Sequence, residues 1–166
     1  MASFQHNQNK VTPCLWFNNN ADEAANYYCS LFNNSKIISK SNVMVEFELE
    51  GLRILGLNGG PQFPHTEAFS LIVECTDQHE LDQLWHSLIA DGGSEGRCGW
   101  CKDKFGLSWQ LIPSGFYRMM SEGTHIQKQK VMDVVLENTR KTLSEQATTG
   151  ATSAGNVATL NRVILQ

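Results

Sequence analysis

The 166-residue sequence predicts an α+β protein built from two copies of one strand–helix–strand–strand–strand module. Two helix starts carry the same capping pattern, because Asn20 and Asp77 each stand three residues before a glutamate. The two predicted helices then stay in step with an offset of 57 residues, from Glu23 to Glu80. The matched pairs are Tyr28 with Trp85, Ser30 with Ser87, Leu31 with Leu88, and Phe32 with Ile89.

Apolar runs around the first helix predict the strands of the first module. VTPCLWF precedes the helix, and SKIISK, VMVEFELE and LRILGLN follow it, with a hairpin turn at Glu50-Gly51. The alternation in VMVEFELE predicts one buried face and one partly hydrated face. The residues predicted to be buried are Val43, Val45, Phe47 and Leu49.

The second module repeats this order with a weaker early strand. AFSLIVEC precedes the second helix, and Asp91-Gly92-Gly93 marks a turn after it. CGWCKDKFGLSWQLIP then predicts a strand over 99–102, a turn over 103–106 and a strand over 107–112. The two modules together predict helices outside a curved mixed sheet that forms a cup.

These patterns divide the chain into five segments of a single domain. They are a disordered N-terminus (1–10), the modules (11–66 and 67–113), a C-terminal helical segment (114–145) and a flexible tail (146–166). Within the helical segment, apolar residues recur at helical spacing between Ile126 and Leu143, which predicts a helix that packs on the domain.

Composition excludes several classes of partner. The net charge is −4 and there is no basic run, so we expect no binding to nucleic acid or anionic membranes. No apolar run approaches the roughly 18 residues of a membrane span, and the first residues do not resemble a secretory signal. Five cysteines, an odd number, favour a reducing, cytoplasmic setting.

Four segments carry a resemblance to a known family. TPCLWFNNNADEAANYYCSLFNNSKI, LNGGP, SLIVECTDQHELDQLWHSL and CGWCKDKFGLSWQLIP resemble, in order, the PhnB-like branch of the vicinal oxygen chelate superfamily. That branch often carries the label 3-demethylubiquinone-9 3-methyltransferase domain. The resemblance spans Val11 to Leu136 and implies paired βαβββ modules, usually in a homodimer. We expect the late helix, or the tail from Val157, to contribute to the dimer contact.

Enzymes of the superfamily bind a divalent metal through His, Glu or Gln at four strand positions. Transferred to this sequence, the positions fall at Thr12 or Pro13, at Ser70, within 56–58, and at Gln110. None of these residues is His, Asp or Glu, and one Gln is a weak ligand set. We therefore expect no metal and no other cofactor. The methyltransferase label has no visible S-adenosylmethionine site, because LNGGP lacks the Gly-rich spacing and no helix start follows it.

Cys98-Gly99-Trp100-Cys101 has the spacing of a redox or zinc motif. A redox pair requires a helix N-terminus and a zinc site requires a second ligand pair, and the sequence predicts neither here. Residues three apart on a strand point to opposite faces, so we expect Cys98 and Cys101 to remain reduced and unbonded on a strand.

Strand alternation places a set of uncharged polar and apolar side chains, with one acid, toward the cup. The candidate ligand-binding residues are Thr12, Cys14, Trp16, Asn58, Ser70, Glu74 and Gln110. Two hypotheses follow. One is metal-free binding of a small apolar or aromatic molecule against Trp16, with hydrogen bonds from polar residues. The other is a lyase, isomerase, dioxygenase or transferase that uses Glu74 as a base or a metal at another position.

Overall fold

A computed structural model describes residues 10–130 and Asp133. The chain divides between His65 and Thr66 into two compact units. Each unit contains one module with its own helix, its own four-stranded sheet and its own buried core.

The first module contains one helix and four strands. They are β1 (Cys14–Phe17), α1 (Ala21–Leu31), β2 (Ser35–Lys40), β3 (Met44–Leu49) and β4 (Leu52–Asn58). The strand order is β1-β4-β3-β2. β1 runs parallel to β4, and the remaining neighbours are antiparallel. The first and last strands of the module are therefore neighbours, as a βαβββ unit requires.

The second module repeats this topology. Its elements are β5 (Ser70–Cys75), α2 (Gln78–Ile89), β6 (Ser94–Glu95), β7 (Trp100–Lys102) and β8 (Ser108–Pro113). The strand order β5-β8-β7-β6 mirrors the first sheet, again with a parallel pair between its first and last strands. α1 and α2 begin 57 residues apart, at Ala21 and Gln78. The predicted α+β class with paired βαβββ modules is confirmed.

Each sheet buries one face against its own helix. Tyr28 of α1 and Phe47 of β3 are fully buried in the first core, and Trp85 of α2 and Trp109 of β8 fill the second. The predicted burial of Val45, Phe47 and Leu49 is confirmed, whereas Val43 is 61% exposed. Val43 precedes β3, which begins at Met44, so the strand pattern does not extend to it.

The two helix N-termini are capped differently. At α2, the Asp77 carboxylate accepts a hydrogen bond from the Glu80 amide (2.9 Å), as predicted. Glu80 returns to Thr76, whose amide and hydroxyl both donate to its carboxylate at 2.7 Å. At α1, the predicted cap is wrong, because the Asn20 side chain makes no capping hydrogen bond.

The segment from Cys98 onward forms a hairpin with a tight entry. Cys98 does not lie on a strand as predicted, because β7 begins at Trp100 and Cys98 has a φ of 53°. Gly99 follows at φ 83°, where a Cβ would lie 2.4 Å from the Leu111 carbonyl oxygen. The chain therefore reaches β7 through a turn that requires glycine.

Asp103 holds the turn between β7 and β8. One carboxylate oxygen accepts from the amides of Phe105 (2.8 Å) and Leu107 (3.1 Å), and the other accepts from the Trp109 indole (2.8 Å). Asp103 is only 2% exposed, so these three bonds satisfy a buried carboxylate. The predicted turn over 103–106 is confirmed.

Helical structure follows the second sheet. α3 spans Phe116–Glu122, and residues 125–130 are helical. Most of the helix predicted from Ile126 to Leu143, and all of the tail over 146–166, lie outside the described residues. Within the described part of the chain, no helix is long and apolar enough to cross a membrane.

Candidate functional site

The face of the second sheet opposite α2 carries most of the predicted site residues of this module. β5 contributes Ser70, Ile72 and Glu74, while Leu71, Val73 and Cys75 alternate toward α2. Ile72 is 49% exposed, which is unusual for isoleucine on a strand. We call this surface the open face of the second sheet.

Two predicted site residues on this face contact each other. The Gln110 amide nitrogen donates to the Ser70 hydroxyl at 2.8 Å, across the parallel pair of β5 and β8. Gln110 also stands between Ile72 on one neighbouring strand and Trp100 on the other. Gln110 therefore lies in a row with an apolar and an aromatic side chain at its ends, and Ser70 lies beside it in the adjacent row.

Glu74 lies farther along β5, opposite Ile112, and is exposed. An exposed carboxylate is well solvated, so this environment does not resemble that of a buried catalytic base. The structure thus places Glu74 on the predicted face but away from the Ser70–Gln110 pair.

A small cavity opens beside the neighbouring row of the same sheet. Its volume is about 100 Å³. The residues that line it are Glu67, Ser94, Glu95, Gly96, Trp100, Cys101, Lys102 and Ser108. The Lys102 ammonium pairs with the Glu67 carboxylate at 2.5 Å. We call this cavity the Lys102 cavity.

Ser108 is the buried polar group of the Lys102 cavity. It is 1% exposed, and no other described residue bonds to its hydroxyl oxygen. The candidate ligand-binding residues did not include Lys102 or Ser108, although strand alternation predicts that Ser108 shares the inward face of β8 with Gln110. Lys102 becomes part of the wall only because it pairs with Ser94 on β6, a strand of two residues that no sequence pattern marks.

In the first module, Cys14 and Trp16 lie on the sheet face opposite α1, while Leu15 and Phe17 are buried, as alternation predicts. The Trp16 indole donates to the Gly60 carbonyl at 2.8 Å and meets the Phe63 ring edge-on at 4.9 Å. Thr12, also partly exposed, precedes β1.

The Trp16 ring lies against the glycine loop that follows β4. A Cβ added at Gly59 would lie 2.1 Å from the ring, so this loop requires glycine for packing. The LNGGP segment is thus a turn that supports an aromatic side chain.

Asn58, another predicted site residue, has a structural function. Its side-chain oxygen accepts from the Ala21 amide at 2.9 Å, and its nitrogen donates to the Asn42 carbonyl at 3.0 Å. Asn58 therefore caps α1 from the end of β4, where we expected Asn20 to cap it.

A buried ion pair occupies the first sheet on the face opposite α1. Glu46 is 3% exposed, and its carboxylate lies 2.7 Å from the Arg53 guanidinium. The Ser39 hydroxyl donates to the other oxygen of Glu46 at 3.2 Å. Sequence alternation assigned Glu46 to a partly hydrated face, so the burial of this charge was missed.

The cysteines have the properties of structural thiols. All five are free in the structure, as predicted for Cys98 and Cys101. Burial, with a smaller contribution from nearby carboxylates, raises the pKa of Cys75 and of Cys101 to about 12 in each case. Thiols with such a pKa are poor nucleophiles at neutral pH, so Cys98-Gly99-Trp100-Cys101 does not have the low-pKa thiol of a redox motif at Cys101.

Comparison with known proteins places the chain. A family model described as 3-demethylubiquinone-9 3-methyltransferase matches residues 9–112. The chain belongs to this family. It is PhnB-like and a member of the vicinal oxygen chelate superfamily.

Solved structures with the same fold include a PhnB protein of Bacillus cereus that carries the same methyltransferase description. It is 32% identical over 64% of this chain and 100% of its own, with a TM-score of 0.59. A protein of Pseudomonas aeruginosa is 18% identical, with coverages of 64% and 98% and a TM-score of 0.52. The fosfomycin resistance protein FosX of Listeria monocytogenes, solved with Mn(II) and sulfate, is 13% identical, with coverages of 72% and 100% and a TM-score of 0.51. No curated protein matches the chain significantly.

The superfamily's metal positions do not fit a divalent cation in this PhnB-like chain. The Ser70 hydroxyl accepts from Gln110, and the Asn58 oxygen accepts from the Ala21 amide. These hydroxyl and amide groups are weak donors for a transition metal, and each is used in a hydrogen bond. Among residues 10–130 and Asp133, no three His, Cys, Asp or Glu side chains cluster as metal ligands would.

The methyltransferase name also lacks a matching site in the described residues. A typical S-adenosylmethionine fold has a doubly wound parallel sheet with a Gly-rich first turn. Each sheet here is mixed and four-stranded, and Gly59-Gly60 packs against Trp16.

Proposed function

We propose that this PhnB-like protein binds a small apolar or aromatic molecule without a metal ion. The observation that carries the proposal is the open face of the second sheet. There, the half-exposed Ile72 lies in one row with Gln110 and Trp100. Small-molecule sites combine apolar surface with a few fixed polar groups, and the Ser70–Gln110 pair supplies such groups.

The first module offers a second surface of this kind. Trp16 is held by Gly60 and Phe63, so its partly exposed ring is fixed in position before any ligand arrives. A fixed aromatic ring costs little ordering entropy on binding. Cys14 and Thr12 lie near it on the same segment.

The test uses 3-phenylpropan-1-ol, an uncharged aromatic probe, with protein dialysed against a chelator. We expect binding by isothermal titration, and we expect Ile72→Asp to weaken it by about tenfold or more, since it introduces a charge into the apolar row. Val43→Asp is the matched control, because Val43 is also exposed but precedes β3. Absence of binding, or binding that requires added metal, would contradict the proposal.

We further propose a cytoplasmic homodimer. Free thiols suit a reducing compartment. On the segment after the second sheet, Tyr117 is 50% exposed and Ile126 is 68% exposed. Exposed apolar side chains of this kind suit burial against a second copy of the chain. Sedimentation should give twice 18.6 kDa at micromolar concentration, and a monomer would refute the dimer. A dimer that survives deletion of residues 126–166 would refute only the contribution of the late helix and tail.

A further inference from the structure

The Lys102 cavity contains hydrogen-bond donors that no contact among the described residues uses. Lys102 uses one of its three N–H donors for Glu67, and the Ser108 hydroxyl has no partner among the described residues although it is buried. A buried hydroxyl without a partner is destabilising, so an incoming acceptor would gain from bonding to it.

Strand register separates the charges around the cavity. Ser94, Lys102 and Ser108 lie opposite one another in one row and therefore share one sheet face. Glu95 pairs with Cys101, which is buried on the α2 side, so alternation directs Glu95 to that side. Lys102 is therefore the charged strand residue on this face, Glu67 pairs with it, and Glu95 contributes to the lining from the neighbouring position on β6.

The Glu67 carboxylate pairs with the Lys102 ammonium, and the carboxylate of a ligand can displace it. Its side chain is 69% exposed, against 36% for Lys102. The hydrogen bond from Lys102 lowers the pKa of Glu67, so this carboxylate is ionised at neutral pH. Exposed ion pairs contribute little stability, so a second carboxylate can take the place of Glu67 at little cost.

Resting on the proposed function, we infer that the ligand is an aromatic or apolar monocarboxylic acid whose carboxylate enters the Lys102 cavity. The volume of about 100 Å³ has room for a carboxylate and the adjoining carbon, since a water occupies about 30 Å³ in the liquid. The apolar body then lies outside, over Ile72, Gln110 and Trp100, in the row adjacent to Ser108 and Lys102.

The carboxylate accepts from the Lys102 ammonium and the Ser108 hydroxyl. A charge-assisted hydrogen bond of this kind is about twice as strong as a neutral one. The apolar row alone binds the acid and its alcohol analogue equally, so the preference between the two measures the cavity's contribution.

The experiment compares 3-phenylpropanoate with 3-phenylpropan-1-ol by isothermal titration on the full chain. We expect the acid to bind about tenfold tighter than the alcohol. Lys102→Gln should remove that preference while leaving alcohol affinity unchanged, and Ser108→Ala should reduce it. Lys104→Gln removes a cation from the adjacent turn, which does not line the cavity, and should change neither ligand.

Glu67→Gln should change the affinity for the acid in the opposite direction from Lys102→Gln. A folding defect would weaken binding in both variants, so this variant separates a role in binding from a defect in folding. Removal of the competing carboxylate should increase the affinity for the acid by about threefold and leave the affinity for the alcohol unchanged. Equal affinity for acid and alcohol, or a preference that persists in Lys102→Gln, would overturn this inference while the proposed function stands. Failure of both ligands to bind would overturn both proposals.

Discussion

The two modules share a topology but use the polar groups on their sheets for different purposes. In the first, Glu46 and Arg53 form a buried ion pair, and Asn58 reaches back to cap α1. In the second, α2 is capped by its neighbouring residue Asp77, and no described residue bonds to the Ser108 hydroxyl on the open face. The first module therefore uses Glu46, Arg53 and Asn58 for its own stability, whereas the second has the Ser108 hydroxyl available beside a cavity.

The largest expected difference between the modules concerns thiol reactivity. Cys14 in the first module is exposed and its pKa is raised by partial burial, whereas burial raises the pKa of Cys101 in the second to about 12. The thiolate reacts, so native protein at pH 8 should be alkylated by iodoacetamide at Cys14 on the order of 100-fold faster than at Cys101. Peptide mapping by mass spectrometry measures the ratio. In urea the two alkylation rates should converge. Equal rates in the native protein would contradict the difference in thiol reactivity between the modules.

The next effect tests whether the first module depends on its buried charges. Glu46→Gln leaves the largely buried Arg53 guanidinium without its carboxylate and should lower the free energy of unfolding by about 3 kcal/mol. Urea denaturation followed by circular dichroism measures it. Glu48→Gln is the matched control on the same strand, because Glu48 pairs at 3.4 Å with the exposed Lys36 and should cost less than about 1 kcal/mol. Equal losses would show that burial of the pair has no special weight.

The smallest effect compares the two helix caps. Asn58→Ala and Asp77→Ala should each cost about 1 kcal/mol of unfolding free energy, because each removes the acceptor for a helix N-terminal amide. Asn20→Ala should cost only a few tenths of that, since its side chain makes no capping bond. A loss at Asn20 that equals the loss at Asn58 would refute the remote cap.

These contrasts also explain what the sequence could predict. The cap of α2 was predictable, because Asp77 and Glu80 are three residues apart. The cap of α1 was not, because Asn58 stands 37 residues from Ala21 and only the parallel pairing of β1 with β4 brings them together. Local patterns record local bonds, and the repeat of the whole module was visible because each of its elements has a local pattern.

The site was predictable to the same extent. Alternation correctly placed Ser70 and Gln110 on one face, and their hydrogen bond follows from it. It missed Lys102, because a strand of two residues positions the wall in which it lies. Alternation also placed Glu46 on a partly hydrated face, although its side chain is buried. The pattern specifies which face a side chain is on and not whether that face is covered.

The parallel pairing of first and last strands has a consequence for synthesis. Cys14 of β1 pairs with Leu55 of β4, and Ser70 of β5 pairs with Ser108 of β8, so each first strand leaves the ribosome about 40 residues before its partner. At about 5–20 residues per second, that delay is several seconds, far longer than the microseconds in which the β3–β4 hairpin forms. During translation, each nascent first strand therefore remains an unpaired apolar segment that a chaperone can recognise.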